Sequence, residues 1–169
     1  MMQTLDSDEV VRVVRASPDA VYRLVSDVTR TPEYSPEVVQ CRWEDGATGP
    51  VVGARFSAKN DVGRGPAWTN HPVVTVAEPG RAFAVSRTEK GAGTIEWRYD
   101  LEPHTGGTLV RQSYQVTSPV SRLGWFIIDT LYGLKDRRAG LRDNMQQSLT
   151  RLAAVAEAAE RTLPAEREG

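Results

Sequence analysis

Between Val38 and Val116 the chain alternates short apolar segments with turns too brief for anything but reversal. The segments are Val38–Glu44, Val51–Ala58, Ala67–Val76, Ala82–Thr88, Thr94–Glu102 and Thr108–Val116. They are separated by Asp45-Gly46, by the run from Asp61 to Pro66, by Glu78-Pro79-Gly80, by Lys90-Gly91-Ala92-Gly93 and by His104-Thr105-Gly106-Gly107. Glycine and proline in such positions supply the backbone angles that hairpins need. A parallel crossover needs a dozen or more residues, so these strands are antiparallel neighbours in a meander. The valine-rich alternation of Glu9–Arg15 adds a strand in front of them.

Helical patterning appears on either side of the meander. Ser17-Pro18-Asp19 is a helix start: a hydroxyl cap, a proline at the first position and an acid in the first turn. Val21, Leu24, Val25 and Val28 then repeat at helical spacing, until Pro32 and Pro36, which bracket Tyr34, stop any long continuation. At the far end Leu141, Met145, Leu149, Leu152, Val155 or Ala156, and Ala159 form one stripe along Asp136–Arg161. About 25 residues at ~1.5 Å each give a helix close to 40 Å long. The order is β-α-α-β6-α: an α+β domain with about seven strands and a long helix laid across a curved sheet. Such a sheet and helix leave a space between them, either filled by large side chains or open to a ligand.

The length of 169 residues fits one domain. It is expected at 9–161, between an N-terminal tail at 1–8 and a flexible C-terminal tail at 162–169. With 21 basic and 22 acidic residues the net charge is −1, which gives no electrostatic footprint for nucleic acid. Cys41 is the lone cysteine, and His71 and His104 lie far apart, so no intrachain disulfide and no metal is expected, and no cofactor is assigned. Met1–Glu9 has no signal-peptide pattern, and Leu123–Leu134 is too short and interrupted to span a membrane. A soluble cytoplasmic protein is expected, monomer or homodimer.

Several local patterns occur together in one order. They are Ala16-Ser17-Pro18-Asp19-Ala20-Val21-Tyr22 with Val25-Ser26-Asp27-Val28, Pro32-Glu33-Tyr34-Ser35-Pro36, Val52-Gly53-Ala54-Arg55-Phe56 with Trp68, Glu78-Pro79-Gly80-Arg81 with Phe83, and Trp97 through Pro103 with Gly106-Gly107-Thr108. In this order the chain resembles the START-like, or SRPBCC, superfamily, and most of all its bacterial polyketide cyclase/dehydrase and lipid-transport branch. The resemblance covers about residues 8–160. It implies the helix-grip fold, a curved antiparallel sheet wrapped around a long C-terminal helix, with a cavity for a hydrophobic molecule. In aromatic-polyketide members a tyrosine after the first helices and an arginine on a middle strand are the groups proposed to promote cyclisation. Here those positions align with Val38 and Val74; Tyr34 and Arg87 lie nearby without matching the motif. Trp68 and Trp97 do match pocket aromatics of that group.

Alternation along the strands makes Phe56, Trp68, Phe83, Trp97, Tyr99 and Tyr114 the candidates for a core or for a ligand-lined cavity. Asn70 shares a face with Trp68 and offers a polar contact; Met145 adds a side chain from the long helix. Trp125 and Phe126, within Leu123–Leu134, belong to a buried turn, a lid at the cavity mouth, or a weak membrane or partner contact. His104 sits in a hairpin turn, His71 faces away from Trp68, Asp27 suits a helix end and Cys41 a small buried hydrophobe, so no catalytic residue is assigned. The expected function is binding of a hydrophobic small molecule such as a lipid, quinone or polyketide. The alternatives are a polyketide cyclase, aromatase or dehydratase using the same cavity, and a protein-interaction or stress-response module.

Overall fold

The computed structural model describes residues 3–162. Eight antiparallel strands form one sheet: β1 (Ser7–Val14), β2 (Val38–Glu44), β3 (Arg55–Asn60), β4 (Trp68–Asn70), β5 (Val73–Glu78), β6 (Ala82–Glu89), β7 (Gly93–His104) and β8 (Gly107–Ser118). Their order is β1-β8-β7-β6-β5-β3-β2, with β4 paired to β3 beside this path. Three helices complete the fold: α1 (Pro18–Ser26), α2 (Arg122–Thr130) and α3 (Arg137–Thr162). The helix-grip arrangement is therefore present, with α3 gripped by the sheet.

Three strand boundaries differ from expectation. Ala67–Val76 is two strands, because His71-Pro72 interrupts it; Pro72 has no N–H for a ladder bond, and its carbonyl accepts from the Phe56 amide at 3.2 Å. The strand expected from Val51 begins only at Arg55, and Val51 and Val52 are exposed in the preceding turn. At the N-terminus β1 starts at Ser7, inside the segment expected as a tail. Of the two tails, residues 1–2 and 163–169 lie outside the described residues.

The helices form where their caps dictate. The Ser17 hydroxyl accepts from the Ala20 amide at 3.2 Å and Pro18 opens α1, which buries Val21, Tyr22, Leu24 and Val25. Asp27 closes α1 and caps the following 3-10 turn, Val28–Glu33, by accepting from the Thr29 amide and hydroxyl. Along α3, Leu141, Met145, Leu149 and Leu152 are nearly fully buried with Ala153 and Ala156, whereas Ala159 is exposed, so the apolar stripe ends one turn early. Four such side chains, at roughly 1.5–3 kcal/mol each, hold α3 against the sheet. Helix α2 buries only Gly124 and Trp125. No helix among the described residues is long and apolar enough to cross a membrane.

Candidate ligand cavity

The sheet register decides which side chains meet beneath α3. Phe83 on β6 pairs with Tyr99 on β7, which pairs with Gln112 on β8. One step along, Val85 pairs with Trp97 and Trp97 with Tyr114. These inward rows, Phe56 from β3, and Leu141 and Met145 from α3 do not close on one another. They border a cavity of about 170 Å³. A single water needs only ~10–15 Å³, so this is no packing defect.

One end of the cavity is polar. Glu37 is fixed just before β2 by a turn in which the Ser35 hydroxyl accepts from the Glu37 and Val38 amides. Arg137 opens α3, and its amide donates to the Gln3 side chain at 2.7 Å. The Arg137 guanidinium grips Glu37 at 2.7 and 3.2 Å, and the Asn144 side chain donates to the same carboxylate at 2.8 Å. Both partners are nearly buried, with side chains 11% and 13% exposed. Arg87 is paired to Glu89 at 2.8 Å, and the Asn70 amide donates to Glu89 at 3.3 Å. Burial pulls the Arg87 guanidinium below its ordinary value, against the opposing pull of Glu89. These two ion pairs make a polar end with no net charge.

Beyond this end lies an outer groove of about 790 Å³ between α2 and the strand ends, which shares Trp68, Asn70, Arg87 and Arg137 with the cavity. At the junction Trp68 meets Tyr132 edge to face, with ring centres 5.1 Å apart. His71 lies in the groove, bonded to Glu44 at 2.9 Å. His104 sits exposed at its hairpin.

Seven of the ten candidate residues stand on the cavity wall: Phe56, Trp68, Asn70, Phe83, Trp97, Tyr99 and Met145. Three do not. Tyr114 is buried against Trp97, ring centres 5.1 Å apart, and is not part of the wall. Trp125 is buried but faces the outer groove. Phe126 is 64% exposed and lines neither space. The rotation of α2 explains Phe126. Gly124 is pressed on the β6–β7 turn so tightly that a Cβ there would come 2.1 Å from the Gly91 carbonyl. At ~100° per residue, Phe126 then points roughly opposite, beside exposed Leu123 and Ile127.

Sequence reasoning missed Glu37, Arg137, Asn144 and Gln112. Gln112 was legible, because it alternates with Val110 and Tyr114 on the inward face of β8. The other three carry no local signal, since Glu37 and its partners are about a hundred residues apart. Tyr34 and Arg87, singled out as neighbours of the family's cyclisation positions, both reach the cavity wall, as does Val38, whereas Val74 does not.

The chemistry of these groups is limited. Burial raises the phenols of Tyr34 and, strongly, Tyr99 above their ordinary value, so both are protonated hydrogen-bond donors near neutrality. Burial pushes the Cys41 thiol up to about 11, which leaves little thiolate for nucleophilic attack. Among the described residues no group of three or more His, Cys, Asp or Glu is placed to hold a metal ion.

The family model described as polyketide cyclase/dehydrase and lipid transport matches residues 7–157. A polyketide-cyclase-like protein from Corynebacterium glutamicum is 30% identical over 98% of this chain and 100% of its own, with a TM-score of 0.60. The di-domain ARO/CYC StfQ from the steffimycin biosynthetic pathway has a TM-score of 0.69 at 18% identity, covering 92% of this chain and 52% of that one. A protein of Chromobacterium violaceum has a TM-score of 0.67 at 18% identity, covering 90% and 99%. The last two likenesses concern the fold alone. No curated protein matches the chain. With the sheet, the gripped helix and the cavity between them in place, the match across nearly the whole domain means that the chain belongs to the polyketide cyclase/dehydrase and lipid transport family.

Proposed function

We propose that the protein binds a hydrophobic small molecule, of lipid, quinone or polyketide type, in the cavity between the curved sheet and α3. The observation that carries this reading is the cavity itself, lined largely by apolar and aromatic side chains, with the Glu37–Arg137 and Arg87–Glu89 ion pairs at one end. An apolar pocket with a few placed polar groups is the ordinary form of a small-molecule site. Phe56, Trp68, Phe83, Trp97, Tyr99 and Met145 would supply the contact area, and two of these are tryptophans that report on occupancy. Titration with a lipid, a quinone and an aromatic polyketide should quench or shift tryptophan emission for at least one of them. It should also raise the melting temperature, since saturation a hundredfold above Kd adds about 2.7 kcal/mol. Unchanged emission and melting across all three would sink the reading.

A second reading, cyclisation or dehydration of a chain held in the cavity, is favoured by one observation: Tyr34 and Arg87 reach the same wall. With Tyr34 protonated and Arg87 held by Glu89, their contribution would be to orient carbonyl groups and to donate hydrogen bonds, not to remove protons. Incubation with a linear poly-β-keto substrate tests this. A product distribution identical to that in buffer removes it.

A further inference from the structure

The outer face of α2 is apolar where a surface helix is ordinarily polar. Leu123, Phe126, Ile127 and Leu131 recur at helical spacing and all four are exposed, Leu123 by 68% and Phe126 by 64%. At ~100° per residue they form one stripe roughly 100–140° wide, the width that a helix ordinarily turns to its core. The core side of α2 is already taken, by Gly124 and Trp125. The other exposed large apolar side chains among the described residues are valines, and none of them stands on a helix. A contiguous exposed apolar patch marks a contact site.

The rim of this patch is basic. Arg122 opens α2, and Lys135 follows shortly after its end. Lys90 stands on the β6–β7 turn, where the Gly91 carbonyl accepts from the Ser121 amide and hydroxyl, each at 2.9 Å, just before α2. Arg64, from the loop between β3 and β4, lays its guanidinium against Gly133. All four cations are exposed, and none forms an ion pair among the described residues. The carboxylates of the same segments are engaged: Asp129 accepts from Gln3, Asp136 from the Ala139 amide, Asp61 from the Gly63 amide, and Glu89 pairs with Arg87. Only Arg122 belongs to the helix itself. The basic rim is assembled by the fold.

We propose that this face docks the protein on an anionic lipid bilayer. The apolar stripe lies at the acyl boundary and the rim cations lie among the headgroups. Helix α2, nine residues long, rests in the plane of the surface and does not cross it. Charge selects this occupant over a second copy of the chain. A two-fold pairing sets the same patch on itself, which brings rim cation against rim cation. Ile127 also lines the outer groove, so docking turns the groove towards the lipid. The proposal goes beyond the cavity-binding reading, because docking needs no occupant in the cavity.

Co-sedimentation of the full chain with vesicles tests it, using phosphatidylcholine alone and an equimolar mixture with phosphatidylglycerol. The wild type should partition onto the mixed vesicles about tenfold or more tightly than onto phosphatidylcholine, and raised salt should erode the difference. Joint substitution of Leu123→Ser and Phe126→Ser should lower binding to the mixed vesicles about tenfold or more. Arg122→Glu with Lys135→Glu should lower it by a similar factor and leave phosphatidylcholine binding unchanged. No binding to the mixed vesicles, equal binding to both kinds, or full binding by the Leu123 and Phe126 variant overturns the proposal. So does a dimer in sedimentation velocity that Phe126→Ser dissociates, which assigns the face to a second copy. Should the serine variant fail to fold, the wild-type comparison of the two vesicles and the charge variant decide. None of these outcomes bears on whether the cavity holds a ligand.

Discussion

The inner cavity and the outer groove share Trp68, Asn70, Arg87 and Arg137, yet they are built from elements held with very different strength. The cavity lies between the sheet and α3, a 26-residue helix that buries four large apolar side chains. The groove is roofed by α2, nine residues long, which buries Gly124 and Trp125 and leaves Leu123, Phe126 and Ile127 exposed. Local stability follows buried apolar contact, so α2 belongs at the low end of the molecule's stability range and α3 near its top. On the proposed function, one space has the rigidity that recognition needs, and the groove beside it has the looser wall that entry needs.

The largest blow to this contrast comes at the polar end. Glu37→Ala leaves Arg137 buried without its carboxylate and Asn144 without its acceptor, and should cost about 3–5 kcal/mol in urea denaturation. A cost under about 1 kcal/mol would mean that the pair is effectively solvated and that the cavity has no dry polar end.

Gly124→Ala acts on the other side of the comparison. Its new Cβ meets the Gly91 carbonyl, so α2 must shift or tilt away from the hairpin at a cost of about 1–3 kcal/mol. Hydrogen exchange should accelerate across α2 while the amides around Leu149 and Leu152 keep their protection. Equal acceleration in α3 would show that the two helices open as one unit and that the contrast is wrong.

Alkaline titration separates the spaces by a different lever. Tyr34, Tyr99 and Cys41 are all held protonated in the fold beyond their unfolded values, by burial. The unfolded chain then loses protons first, so this stability is present in full below the unfolded values and drains as pH rises. Loss begins near pH ~9 with the thiol and continues above ~10 with the phenols. Tyr34→Phe and Cys41→Ala should each flatten the fall in urea midpoint between pH 8 and 11. Parallel slopes in wild type and variants would place these groups in water instead.

The smallest effect is expected at Phe126, which lines neither space. Phe126→Ser should change stability by no more than about 0.5 kcal/mol and leave ligand affinity where it was. A tenfold loss of affinity would bring α2's outer face into the binding site.

Much of the fold was legible because it rests on local chemistry. Ser17-Pro18 marks where α1 begins, the turns from Asp45 to Gly107 enforce antiparallel pairing, and the Leu141–Ala156 stripe marks α3. The split of one strand at His71-Pro72 was written in the same way, in a proline that cannot donate. The wall aromatics were legible too, since a period of two sorts side chains to one face of a strand. That period does not say which inward residues meet empty space. Tyr114 and Trp97 are cross-strand neighbours on the same face, and only the closure of α3 over the sheet makes one of them wall and the other packing.

By itself, then, the sequence determined the element order, the antiparallel sheet, the long helix and the face on which the aromatics lie. Each follows from interactions spanning a few residues. The tertiary structure decided the rest: the Glu37–Arg137 pair across a hundred residues, the rotation of α2 that turns Phe126 outward, and the space left between the aromatics and α3. These depend on where separate elements come to rest against one another. No short-range pattern encodes that position.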